Sequence, residues 1–201
     1  MSGTTKLILG IGAGCFTALV LACGGLAYFS WTFVKQMSFN EDPVVVEQET
    51  AKIVQVDVPA GLEPKFSMNM PVPFQKQTVA MAIYTNQADK ALLTLMQVSG
   101  EAADEAQLKQ MQTQMESQIN GKNSGDREVI VDPASAKPHP VEIHGEAANF
   151  IISTGKDKEG QEVRIAEGSF KGAGGVALLY FLGDANAFSE EAVIEMLDSM
   201  K

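Results

Sequence analysis

Few residues in this chain have types and spacings suited to chemistry. His139 and His144, the two histidines, stand near Glu142 and Glu146. On a strand, alternate residues share a face, so Glu142, His144 and Glu146 would project together as a nitrogen and oxygen donor set. The set lacks the H-E-x-x-H spacing that places two imidazoles on one helix face, and it has no cysteine partner. A solvated polar strand face is the simpler expectation. Met68, Met70, Met81 and Met96 fall in expected strands, and thioethers are soft donors for Cu(I). Met68 and Met70 also lie on the apolar side of an alternating strand, where methionine fills irregular core space, so core packing is expected. Asp157 and Glu159 carry oxygens of the kind Ca²⁺ takes, but Lys156 and Lys158 are interleaved with them and oppose a dication.

Other motifs fail on inspection. Gly172-Ala173-Gly174-Gly175 has no following Lys-Ser/Thr and is no P-loop; it reads as a flexible hairpin tip. Gly10-Ile11-Gly12-Ala13-Gly14 has Cys15 where a dinucleotide fingerprint needs glycine, and no acidic residue about 20 positions on. There is no G-x-S-x-G, and Glu190-Glu191 suits a helix dipole better than acid–base work. No catalytic, cofactor-binding or metal-ligating residue is assigned, no cofactor is expected, and the balance is against an enzyme.

The segment that must position everything else is residues 7–34, which contain no charged residue, histidine, asparagine, glutamine or proline. A helix of that length rises ~42 Å, against a hydrocarbon core of ~30 Å, so it is read as a transmembrane signal-anchor. Residues 1–6 form a short tail before it. One lysine on each side, Lys6 and Lys35, leaves the positive-inside rule undecided. The short tail and the large acidic remainder favour a cytoplasmic N-terminus with the C-terminal domain outside the cytoplasm. Tyr28, Trp31 and Phe33 gather near the end of the run, where aromatic rings settle at the interface. Gly10, Gly14, Ala18 and Ala22 recur every four residues, a small-residue stripe that suits association of two such helices into a homodimer.

Two alternatives attach to the same run. Val20-Leu21-Ala22-Cys23-Gly24 is lipobox-like, so acylation at Cys23 would make the chain a lipoprotein; that would leave an apolar stub where such signals usually give way to a polar tether. A cleaved secretory peptide fits poorly, because its apolar region spans only ~7–15 residues.

All 25 acidic residues, and all of the 15 basic ones except Lys6 and Lys35, lie beyond residue 39, and the whole chain carries a formal charge of −10. Such a surface repels nucleic acid and anionic head groups. Both cysteines, Cys15 and Cys23, lie within the anchor, so the remaining domain must stand on its core without disulfides. At roughly 160 residues it is large enough to do so.

Residues 35–41 read as a polar tether, and 42–201 as the domain. Asp42-Pro43 suits an N-cap followed by proline at the first helical position, predicting a short helix over 43–52. Pro59-Ala60-Gly61 is a turn. Leu62, Pro64, Phe66, Met68 and Met70 then alternate with polar residues, predicting a strand with one apolar face. Residues 78–84 and 91–98 continue an antiparallel meander. Leu108, Met111, Met115 and Ile119 next fall on one stripe of a predicted amphipathic helix, whose glutamine-rich far side argues for docking on a sheet. Strands follow over 128–131, 141–143, 147–154, 162–170 and 176–182, with residues 132–140 as a proline-punctuated connection. Ser189 caps a closing helix that buries Val193, Met196, Leu197 and Met200, with Phe188 stapling onto Val193.

The pattern is α+β: an N-terminal transmembrane helix followed by one domain with an antiparallel sheet packed against helices. Meander, helix, second meander, then Tyr180-Phe181-Leu182-Gly183 and a helix ending Met196-Leu197-Asp198-Ser199-Met200-Lys201 resembles the PsbP-like α/β/α sandwich over residues 60–201. That resemblance implies an accessory or assembly factor and carries over no site residue. The expected function is therefore a single-pass, membrane-anchored envelope protein with a non-enzymatic binding or assembly domain and a protein partner. The alternative is a binder of an apolar small molecule or lipid.

Overall fold

The computed structural model describes residues 38–72, 76–86, 90–100 and 129–201. The run over 7–34, its Gly10, Gly14, Ala18 and Ala22 stripe, Cys15, Cys23 and the stripe from Leu108 to Ile119 lie outside them. Among the described residues no helix is long and apolar enough to cross a membrane. The described residues all belong to one compact unit, Ser38–Lys201.

That unit is built on an antiparallel sheet of nine strands: β1 (Ser38–Asn40), β2 (Glu63–Pro71), β3 (Gln77–Thr85), β4 (Leu92–Gly100), β5 (Ile130–Val131), β6 (Lys137–Ile143), β7 (Glu146–Lys156), β8 (Glu162–Gly172) and β9 (Gly175–Asp184). The order is β1-β2-β3-β4-β9-β8-β7-β5, with β6 also pairing β7. Among the described residues two helices accompany it, α1 (Pro43–Ile53) and α2 (Glu190–Asp198). The expected α+β class with an antiparallel sheet is found, weighted towards sheet.

Local chemistry explains where the helices start. Asp42 Oδ1 accepts from Val44 N at 3.0 Å and Pro43 opens α1, as the cap pattern predicts. Ser189 Oγ accepts from Ala192 N at 3.2 Å at the start of α2. Val46, Thr50 and Ile53 form the buried stripe of α1; Val193, Met196 and Leu197 form that of α2, joined by Met200.

Both helices pack on one face of the sheet. Directly paired residues share a face, so the row Ala82, Leu95, Leu179, Gly168 and Phe150 runs across five strands under the helices. Gly168 is required there: a Cβ on it would stand 2.4 Å from Phe150 Cδ1. Phe181 and Phe188 meet edge to face at 5.4 Å on the same side. The helix α2 is also tied down by charge. Glu190 receives Lys137 Nζ at 2.8 Å and Arg164 Nη1 at 3.3 Å, while His139 Nε2 meets Asp198 Oδ1 at 2.8 Å.

Three expectations are corrected. First, the apolar alternation of β2 does not mark one buried face. A β-bulge at Lys65 lies between the pairs Pro64–Tyr84 and Phe66–Ile83, and it exchanges the faces of the residues that follow. Leu62 joins the core beneath α1, whereas Phe66, Met68 and Met70 turn to the opposite face and Ser67 is buried instead. Second, the tether is partly structured, since Ser38–Asn40 is an edge strand pairing with Asn69, Met68 and Ser67. Third, the proline-rich connection contains a 3-10 turn, Pro133–Ser135, and most of β6. Among the described residues β6 pairs with β7 alone, and Pro138 and Pro140, two residues apart, share one edge of it, as suits a strand whose other edge needs no ladder bond.

Candidate functional site

The face of the sheet away from the helices is the candidate site. Met68 pairs with Met81, Met81 with Met96, and Met96 with Leu178, so three thioethers and a leucine stand in one row across β2, β3, β4 and β9. The flanking rows are Phe66, Ile83, Thr94, Tyr180 on one side and Met70, Val79, Val98, Val176 on the other. Phe39, paired with Met68, extends the middle row; its ring stacks on Phe66 at 6.0 Å while remaining 56% exposed. Met68, Met70, Met81 and Met96 are half-buried, so the expected core role is realised on this face rather than beneath the helices. Chemically the patch is a broad, soft, apolar surface, the kind that accepts another apolar element or an adaptable hydrophobic guest.

The other candidates are separated by the fold. His144 does not lie on a strand: with φ +52 it forms a two-residue turn with Gly145 at φ +75, joining β6 to β7. Glu146 pairs with Lys171 and His139 with Asp198, so the Glu142, His144, Glu146 set is not brought together. Among the described residues no group of three or more His, Cys, Asp or Glu is placed to hold a metal ion. Asp157 Oδ1 accepts from Glu159 N and Gln161 N, both at 2.9 Å, so that carboxylate shapes its own loop. The glycine run is no flexible tip. Ala173 N donates to Ile53 O at 2.9 Å and Gly174 N to Gln97 Oε1 at 3.1 Å. A Cβ at Gly172 would stand 2.3 Å from Gln97 Oε1, so glycine is there for close approach.

Sequence reasoning missed a cleft of about 560 Å³ between α1 and the start of β2, lined by Glu47, Thr50, Val54, Val58, Leu62 and Tyr84. At its floor the Tyr84 hydroxyl and Thr50 Oγ1 are 2.8 Å apart, and Thr50 Oγ1 donates to Val46 O at 3.0 Å. Burial raises the Tyr84 phenol above its ordinary pKa, the Thr50 hydrogen bond pulls it back, and the Glu47 charge raises it further. The only sequence signal was a threonine on the buried stripe of α1. Among the described residues no histidine, cysteine or lysine lines the cleft with the pair, and the two hydroxyls satisfy one another, so the pair holds α1 on the sheet.

Compared with known proteins, the chain matches no family model and no curated protein.

Proposed function

We propose that this chain is a single-pass membrane protein of the envelope, whose acidic α+β domain works outside the cytoplasm by binding an assembly or protein partner. The observation that carries the reading is the apolar run over 7–34, which ends a few residues before the compact unit Ser38–Lys201. The PsbP-like resemblance, which implies accessory roles, leans the same way. Protease protection tests it: the Ser38–Lys201 unit should be digested from outside intact cells. Digestion only after the cytoplasm is opened overturns the orientation. If Cys23 is instead acylated, Cys23→Ala removes fatty-acid labelling and changes the mature mass.

A second reading, an apolar small-molecule or lipid binder, is favoured by the row of Met68, Met81 and Met96. Native mass spectrometry of protein taken from cells distinguishes it. A bound apolar mass supports it; a clean apo mass with no thermal shift from lipid extract counts against it.

A further inference from the structure

The stretch that follows α1 runs extended. Val54 has φ −162 and ψ 145, and burial then alternates, with Val54, Val56 and Val58 turned to the core and Gln55 and Asp57 exposed. One edge of it is taken. Gln55 and Lys201 exchange two backbone hydrogen bonds, at 3.3 and 3.0 Å, and Asp57 N donates to Ser199 Oγ at 2.8 Å. Consecutive residues of an extended chain aim their N–H and C=O at opposite edges, so Val56 and Val58 turn theirs away from Ser199 and Lys201. Among the described residues nothing bonds to Val56 N, Val56 O or Val58 N.

That second edge borders the cleft of about 560 Å³. The other walls come from Glu47 and Thr50 of α1 and from Leu62, Pro64 and Tyr84, and none from 199–201, so the cleft lies on the unpaired side. Its floor is apolar apart from the Thr50 and Tyr84 hydroxyls, which are bonded to each other. Its rim is acidic. Glu47 and Asp57 are exposed, among the described residues no lysine, arginine or histidine lines the cleft, and neither carboxylate forms an ion pair with a described residue. An open strand edge recruits another strand, and residues paired across strands favour opposite charge. At ~3.3 Å per residue the stretch from Val54 to Val58 spans ~16 Å, enough to pair with about five residues.

We propose that this cleft takes an extended, basic segment of a partner protein, which adds a strand to the edge formed by Val54, Val56 and Val58. The inward side chains of that segment are apolar and cover Thr50 and Tyr84; the outward ones are lysine or arginine and stand beside Glu47 and Asp57. The proposal rests on the protein-partner reading for the class of ligand alone. It gives that reading a site away from the methionine row, and it does not depend on the membrane anchor.

The test titrates the full chain with a labelled seven-residue peptide alternating valine and lysine, read by fluorescence polarisation at physiological salt. Saturable binding is expected, weakened about tenfold by Glu47→Lys combined with Asp57→Lys. Two further peptides keep the charge but carry methyl groups on the valine or on the lysine backbone nitrogens. Valine methylation should abolish binding to an antiparallel added strand, and lysine methylation binding to a parallel one. These peptides leave the protein untouched, so they decide the matter even if the double variant misfolds. The proposal is overturned if both methylated peptides bind as well as the parent, or if an alternating valine and glutamate peptide does. No saturable binding at millimolar peptide overturns it too. Amide exchange followed by NMR then locates the contact. Val56 and Val58 should slow on binding, while Gln55 and Asp57, whose amides are already bonded, should not. Slowing confined to Met68, Met81 and Met96 would overturn the site and leave the protein-partner reading standing, on the methionine row.

Discussion

The two faces of this sheet are assembled from alternate residues of the same strands, yet they are finished differently. Beneath α1 and α2 the row Ala82, Leu95, Leu179 and Phe150 is almost wholly removed from water. One residue along each strand, the row Met68, Met81, Met96 is half-buried and flexible in shape. The first face also holds the polar fixings: Thr50 to Tyr84, Gln97 to Gly174, and the ion pairs that hold both ends of α2. Such fixings specify one arrangement, because a buried polar group that loses its partner is costly. The methionine row itself is apolar, and apolar contacts tolerate repacking. The fixings of α1 and α2 thus stand on one side of the sheet, and a softer row on the other.

The largest effect should come from the first face. Phe181→Ala removes a fully buried ring and its partner Phe188's edge contact, and should cost about 3–5 kcal/mol in urea unfolding of the Ser38–Lys201 unit. Met96→Ala, half-buried on the other side, should cost about 1 kcal/mol. Equal losses would erase the contrast between the faces.

Next, Met115→Asp tests the stripe from Leu108 to Ile119 that the 3.6-residue spacing predicts. If that stripe packs against apolar neighbours, the new carboxylate should cost roughly 2–3 kcal/mol, whereas Gln114→Asp should cost only tenths. Identical urea midpoints would show that this stripe does not meet the sheet.

A smaller loss is expected from Gln97→Ala. Gln97 Oε1 accepts from Gly174 N and its Nε2 donates to Ser99 Oγ at 3.0 Å, so truncation leaves the tight turn without its anchor, at about 1–3 kcal/mol. Hydrogen exchange at Gly174 should rise in the variant; unchanged exchange would mean the turn is held by the strands alone.

The smallest effect is a matter of pH. An unfolded tyrosine titrates near pH ~10, and burial keeps the Tyr84 proton on beyond that. The folded state then binds more protons than the unfolded one, so the stability from neutral Tyr84 is complete below the unfolded pKa. It is lost as pH rises through the folded value. Thr50→Val removes the hydrogen bond that opposes the shift, and ultraviolet titration should show Tyr84 ionising at still higher pH; a fall would contradict the geometry.

Much of this architecture was legible from local chemistry. Asp42-Pro43 announced α1, Ser189 announced α2, and two runs joined by a turn-rich connection announced β3 and β4. The side on which β2 presents its apolar residues was not legible, because the alternation continues unbroken from Leu62 to Met70 while the bulge at Lys65 exchanges the faces. A pattern of period two records only that alternate residues share a face, and one extra residue inverts the answer. Pro138 and Pro140 read as loop because proline argues against a central strand, and β6 uses both at a free edge. For the candidate site, each methionine was visible singly. Their alignment into one row depends on register between strands, which turns and pairing decide.

The position of β9 has a consequence for how the molecule is made. It lies between β4 and β8, and residues 177–183 are all buried. The N-terminal meander is therefore joined to the C-terminal one through pairs such as Leu95–Leu179, which are far apart in sequence. Closing so long a loop is slow relative to forming local hairpins. Until that happens β4 offers an unpaired edge lined with leucine and methionine, the kind of edge that recruits strands from other molecules. At high concentration the vacancy would be filled by the β9 of a neighbouring chain, and the product would be an exchanged dimer with every native strand pair intact.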